Sequence, residues 1–338
     1  MVKKLYNQKN KCLLIENLDS ETFSRITCSF YKYTKIDNPS HFRDKVYSIF
    51  HTLNIFGRIY VADEGINAQI SVPSHNWENF LKIMNEISEF YEIQIKKAVI
   101  DGISFYKLVV KVKKEIVAYG VSKNKYNMKV VGKHLSTQQF DCAMDQKKTT
   151  IIDMRNLYES EVGKFKNAEI PQVEKSKDLL PEVRRMLKGK EHHQVLLYCT
   201  GGIRCEKASS YLLNEGIKDV KQLHGGIIQY AHDIKSKGLK TKFIGKNFVF
   251  DARLGERVTD DIISNCHICN KSSDIHRDCK NDACHILFIQ CDECEHDLNG
   301  CCSNKCKEIA SLTIEKQIEL RKDQNVIDKR RYFKSPQF

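Results

Sequence analysis

The feature that most restricts this chain is a run of four apolar residues, Val195-Leu196-Leu197-Tyr198, that passes straight into Cys199-Thr-Gly-Gly-Ile-Arg-Cys205. A strand that is apolar on both faces must be covered on both, as in a parallel sheet with helices on either side. The surrounding pattern agrees. From Thr149 onward short apolar strands (Ile151-Ile152-Asp153, then Val220 to Leu223) alternate with helical stretches, one of them Glu206 to Asn214. Cys199 therefore stands at the C-terminal end of a parallel strand, on the sheet edge where α/β proteins bind ligands.

The loop after Cys199 suits a sulfur anion. Thr200, Gly201, Gly202 and Ile203 let the backbone curl so that successive amide N–H groups face the sulfur. With the helix N-terminus and Arg204, those amides favour the thiolate, which is the nucleophilic form. A cysteine phosphatase loop puts its arginine six residues after the cysteine, to grip a phosphate. Here position 205 is Cys and the arginine is five along, so the loop fits a sulfur-sized anion or a small polar adduct. Cys205 reads as a packed helix-start residue or as a resolving thiol.

Residues 25–112 follow a different grammar. Arg25 to Tyr33 alternates Ile26, Cys28 and Phe30 with Thr27, Ser29, Tyr31 and Tyr33. Asn38-Pro39 starts a helix carrying Phe42, Val46, Phe50 and Leu53. Two strands flank the turn at Asp63-Glu64-Gly65, and a second helix presents Trp77, Phe80, Met84 and Ile87. Leu108, Val110 and Val112 alternate with lysines in a last strand, and Tyr91–Ala98 is ambiguous. The order β-α-β-β-α-β predicts a ferredoxin-like sandwich whose open sheet face shows Tyr31, Tyr33, Tyr60, Asn67, Gln69, Lys107, Lys111 and Lys113. Aromatics among cations suit base stacking and phosphate contact, although many such sheets bind nothing. Ten lysines between Gln94 and Lys133 face only Asp101 and Glu115, out of a formal net charge of +12. That is the footprint of a polyanion site or a solvated lysine face.

Nine of the fourteen cysteines crowd between Cys266 and Cys306. Cys266-x2-Cys269, Cys279-x4-Cys284, Cys291-x2-Cys294 and Cys301-Cys302-x3-Cys306 have metal-ligand spacing, enough for two tetrahedral sites with one cysteine left over. Cys266, Cys269, Cys279, Cys284, Cys291, Cys294, Cys301 and Cys306 are the candidate ligands, with structural zinc the preferred ion. Iron–sulfur ligation and reduced thiols without metal are the alternatives, and spacing does not say which pairs share an ion. The N-terminus has no apolar stretch behind its lysines, and no apolar run is long enough to span a bilayer. The chain is expected in the cytoplasm, where cysteines serve as ligands or catalytic thiols more often than as disulfides. The expected units are residues 1–125 (ferredoxin-like, RNA-contacting), 140–240 (parallel α/β), 241–310 (cysteine-rich) and 311–338 (a basic helical tail).

Family resemblance adds to this reading. Asp153-Met-Arg155, Tyr158-Glu159, Gly163, Ala168 and His224-Gly225-Gly226, with the Cys199 loop, are similar to the rhodanese superfamily. There the loop cysteine carries a persulfide, a role transferable to Cys199 alone, with Asp153, Arg155 and Glu159 bracing the loop. Longer strings, Phe56-Gly-Arg-Ile-Tyr-Val-Ala-Asp-Glu-Gly-Ile-Asn-Ala-Gln-Ile-Ser-Val-Pro73, Leu197 to Ser209 and Phe243-Ile-Gly-Lys-Asn-Phe-Val-Phe-Asp251, resemble the bacterial tRNA uridine(34) hydroxylase family. That resemblance implies oxidation of wobble uridine to 5-hydroxyuridine, tRNA as partner and molecular oxygen as co-substrate. Cys199 and Arg204 become the catalytic candidates. A plain sulfurtransferase working through a Cys199 persulfide is the competing function. No dinucleotide fingerprint, flavin motif or facial triad is recognisable.

Overall fold

The computed structural model describes residues 5–7, 10–173 and 175–323. A short helix, α1 (Lys11–Asp19), leads into a five-stranded sheet. Its strands are β1 (Arg25–Tyr33), β2 (Phe56–Ala62), β3 (Gly65–Pro73), β4 (Lys96–Lys97) and β5 (Leu108–Val112), in the order β4-β1-β3-β2-β5. Helices α2 (Pro39–Thr52) and α3 (Trp77–Glu86) cover one face. Phe42, Val46 and Phe50 of α2 and Phe80 and Met84 of α3 bury themselves against Phe30, Ile59, Ile66 and Val110. The first four strands are antiparallel and give the ferredoxin-like order. Leu108–Val112 is not the closing strand that its alternation suggested: it is a fifth strand, parallel to β2 on the opposite edge. The closing strand is β4, two residues inside the ambiguous stretch, pairing Ser29 with Lys96. A two-residue strand is too short to carry a period.

The second unit is a parallel sheet in the order β6-β10-β9-β7, formed by β6 (Lys133–Leu135), β7 (Thr149–Asp153), β9 (Gln194–Tyr198) and β10 (Asp219–Leu223). β9 lies inside the sheet, buried along its whole length, as its unbroken apolar run requires. Helices α4 (Thr137–Met144), α5 (Leu157–Glu161), α6 (Ser176–Met186), α7 (Ile203–Asn214) and α8 (Gly226–Lys237) pack around it. Val117 and Tyr119, from the segment that leaves the first unit, belong to this second core beside Leu197, Cys199 and Ala208. The segment is packed, not a loose tether.

β8 (Gly163–Phe165) pairs antiparallel with β11 (Phe243–Asn247), which also pairs with β12 (Glu256–Arg257). The cysteine-rich region follows as a hairpin of β13 (His276–Asp278) and β14 (Leu287–Ile289), then α9 (Asp292–Asp297), α10 (Asn304–Ala310) and α11 (Ile314–Asp323). Ile289 and Phe248 close a small core on Tyr158 and Val162 of the parallel unit. The fold is thus α/β and α+β in three parts, as expected. The basic tail is helical to Asp323, and its remainder lies outside the described residues.

Candidate functional site

The strand β9 delivers Cys199 at its C-terminal end, and α7 begins four residues later. Gly202 sits in the left-handed region (φ +98°), which lets its amide turn back to donate to Cys199 Sγ at 3.1 Å. The loop is clamped from beneath by α8, where Ile227 N donates to Cys199 O (3.0 Å) and Ile228 N to Thr200 O (3.1 Å). Gly226 has to be glycine: a Cβ there would stand 2.6 Å from Cys199 O and 2.7 Å from Thr200 O. Burial by itself would push the Cys199 thiol up. A hydrogen bond from the Cys205 thiol, the Arg204 charge and the amides of Arg204 and Cys205 outweigh it, bringing the pKa down to about 6. That balance favours the thiolate. Cys205 itself is buried and held protonated by that burial and by its neighbour.

Arg204 does not float over the loop. It makes a bidentate pair with Glu159 (2.6 and 2.8 Å) and a further bond to Thr200 Oγ1 (3.2 Å). Glu159 is fully buried on α5, where it also accepts from Asn156 N in a capping box. Asp153 and Arg155 form a second buried pair (2.7 Å), tied to Tyr198 O–H, Ser160 and the Gly163 carbonyl. That pair stands under β9 rather than at the sulfur, so it braces the strand end.

The sheet face expected to be open in the first unit is covered around Tyr31 and Tyr33, while Arg58 on β2 and Lys111 on β5 stay exposed. It docks on the Cys199 loop, so Tyr31 and Tyr33 are seam residues rather than a free stacking platform. Tyr31 O–H donates to Glu206 Oε1 (3.2 Å) and Tyr33 O–H to Ile203 O (3.3 Å). A Cβ on Gly202 would meet Tyr31 Oη at 2.8 Å. Burial raises both phenols and keeps them neutral. Docking of this face allows one sheet to bury apolar surface on both sides, which alternation within a single strand cannot announce. Lys111 and Lys113 remain exposed at the β5 edge and Lys107 is half-buried just before it. These three do not share a patch with the sulfur in any contact the structure shows.

Several site residues carried no sequence signal. Lys96 donates to Gly201 O (3.1 Å), and Glu206 accepts from Gln222 (3.1 Å) and pairs with His134 (2.8 Å). Tyr119 O–H donates to Arg204 O (3.2 Å). Lys207, fully buried, bridges Glu64 (3.0 Å) and Glu115 (2.8 Å), locking the Asp63-Glu64-Gly65 turn to α7. Cys199 has no exposed surface in this arrangement. A cavity of about 650 Å³ lies elsewhere, between α5 and the cysteine region, lined by Leu157, Glu161, Cys266 and His267 and by no residue of the loop.

Eight cysteines gather into two sets, Cys266, Cys269, Cys291 and Cys294, then Cys279, Cys284, Cys302 and Cys306. The pairs alternate along the chain, first with third and second with fourth, so each set staples the other's loop. Cys302 replaces Cys301 as a candidate ligand. Cys302 lies just before the Ser303 cap of α10, Cys306 sits in that helix's first turn, and their sulfurs lie 3.6 Å apart. Cys301 is buried, with its Sγ towards Asn299 O. Neighbouring sulfurs are 3.5 Å apart (Cys269–Cys291) and 3.7 Å apart (Cys284–Cys302). Disulfide sulfurs are bonded at about 2.0 Å, whereas four thiolates around one ion at ~2.3 Å stand ~3.8 Å from one another. The spacing fits one tetrahedral ion per set, and all-sulfur donors suit a borderline-soft metal.

Three family models match in sequence: a UPF0176 acylphosphatase like domain over residues 25–116, a rhodanese-like domain over 136–233 and a rhodanase C-terminal domain over 244–307. The chain is 47% identical to a tRNA uridine(34) hydroxylase of Leptospira interrogans, over 97% of this chain and 89% of that one. It is 44% identical to the protein of the same name from Photorhabdus laumondii, over 91% and 88%, and 45% identical to that from Yersinia pestis, over 93% and 89%.

Proposed function

The chain belongs to the tRNA uridine(34) hydroxylase family, and from that premise we propose that it hydroxylates the wobble uridine of tRNA, at C5, with Cys199 as the nucleophile. The observation that carries the assignment of the site is the Cys199 sulfur held as an anion by the Gly202 amide, the Arg204 charge and the start of α7. A thiolate adding to C6 of uracil pushes an electron pair towards C5, where an oxygen donor can take it. Loss of the C5 proton and departure of the thiolate would then restore the ring's double bond. Arg204 balances the charge of the sulfur before addition and after release. Molecular oxygen is the proposed source of the oxygen atom, with an external two-electron reductant and two protons releasing its second atom as water.

The two cysteine sets are proposed to hold zinc, one ion each. Zinc would close both sites, leaving no open position for chemistry, and would fold a segment that has little apolar core of its own. A cytoplasmic location follows from the substrate. Among the described residues no helix is long and apolar enough to cross a membrane.

The test is the nucleoside profile of tRNA from cells lacking this protein, complemented by the wild type or by Cys199→Ser and grown under ¹⁸O₂. The expected result is 5-hydroxyuridine derivatives carrying ¹⁸O with the wild type and none with the variant. Full restoration by Cys199→Ser would remove the sulfur from the mechanism. Loss of thiolated bases instead of hydroxylated ones would make the chain a sulfurtransferase.

A further inference from the structure

We propose that Lys96 is a positioning residue which the N-terminal unit contributes to the Cys199 centre, acting through the peptide between Gly201 and Gly202. The inference rests on Cys199 being the reactive thiolate. In a trans peptide the carbonyl and the following N–H point in opposite directions. Lys96 Nζ holds the Gly201 carbonyl at 3.1 Å, and the Gly202 N–H on the other side of the same peptide donates to Cys199 Sγ at 3.1 Å. A cation on the oxygen polarises the unit and strengthens the donor facing the sulfur. It also fixes the plane, so that the amide cannot rotate away.

The placement of this lysine is specific. It comes from β4, whose register sets Lys96 opposite Ser29, two residues from Tyr31. Its Nζ lies 4.6 Å from the centre of the Tyr31 ring. Only 9% of the residue is exposed, and it has no carboxylate partner in the described structure. An ordinary surface lysine would extend its ammonium to water. Here the stem passes Gly225, where a Cβ would come within 3.4 Å of Lys96 Cε. Burial draws its pKa down and the charges of Cys199 and Glu206 partly offset that, leaving it at about 8. The other ionisable groups facing this pocket are Tyr31 of β1, His134 of β6, Glu206 of α7 and His224 after β10. Arg204, Cys205 and Tyr119 surround the sulfur from below.

The experiment follows alkylation of Cys199 by iodoacetamide against pH in the full chain, quantified by mass spectrometry of the Cys199 peptide. Cys199 is fully buried, so alkylation needs the seam to open transiently: opening sets the height of the rate and ionisation its midpoint, and a wild-type Cys199 unmodified at every pH overturns it as a thiolate available for reaction, and this proposal with it. Wild-type protein is expected to show a midpoint near 6. Lys96→Gln should raise it by about one unit, so that the rate at pH 5 falls roughly tenfold. Lys96→Arg should restore the wild-type midpoint. Tyr33→Phe, which loosens the same seam without touching the cation, should leave the midpoint in place. Lys96→Met keeps the apolar stem and replaces the Gln variant if that fails to fold. An unshifted midpoint in the neutral variants, or an equal shift in Tyr33→Phe, overturns the role of Lys96. A wild-type midpoint near 9 would instead overturn Cys199 as a ready thiolate, and this proposal with it.

Discussion

The Cys199 loop and the cysteine-rich region use the same atom in opposite ways. At position 199 one sulfur is separated from metal-ligand partners and stabilised by backbone amides, a neighbouring neutral thiol and one arginine whose own charge is held by Glu159. Such a sulfur keeps its lone pairs. In the two sets near the C-terminus each sulfur meets three others within 4.8 Å, and an ion bound there would occupy the same lone pairs. A cysteine is made reactive or inert by what supplies the positive charge: diffuse dipoles leave the sulfur free, and a metal ion does not.

The largest effect that would break this contrast is removal of the metal. Chelation, or Cys294→Ser in the first set, is expected to lower bound zinc and to unfold the region from Cys266 onward, costing several kcal/mol, on the order of a structural zinc site. Elemental analysis and thermal unfolding read it. A protein that keeps its melting temperature after complete zinc removal would make the second region a set of ordinary packed thiols.

Next in size is Arg204→Lys. A lysine cannot reproduce the two parallel bonds to Glu159 together with the bond to Thr200, so the loop loses its anchor while keeping its charge. The expected loss is about tenfold to a hundredfold in hydroxylation, of the order of one broken bidentate pair. Near wild-type rates would show that charge alone suffices.

The smallest effect sharpens the contrast. Cys205→Ala deletes the neutral thiol that donates to Cys199, so the pKa of Cys199 should rise from about 6. Because the folded-state value lies below the unfolded one of 9.0, ionisation stabilises the fold fully above pH 9 and the gain is lost as pH falls through 6. In the variant the total gain should be smaller and its loss complete at a higher pH. A pH–stability curve identical to that of the wild type would leave Cys205 as packing only.

Much of the site was legible from spacing. The run Val195 to Arg204 identified a buried strand, a glycine bend and a helix start.

 Metal-ligand spacing likewise marked the cysteine region before any pairing was known. The misses have separate causes. β4 has only two residues, too few to show alternation, so neither the closing strand nor Lys96 on it could be recognised. Cys301 and Cys302 are adjacent and chemically identical, and only the direction each side chain takes in the bend before α10 separates them.

By itself the sequence determined what is local: the apolar strand, the glycines that bend the chain after it, the caps, and the grouping of thiols in pairs. Those depend on residues within a few positions of one another, and chain connectivity enforces them. Tertiary structure alone decided which cysteine pairs share a site, that the aromatic sheet face is a seam, and that Lys96 reaches a carbonyl 105 residues away. These contacts join groups distant in sequence, and their formation follows from how whole surfaces pack, which no short pattern of residues records.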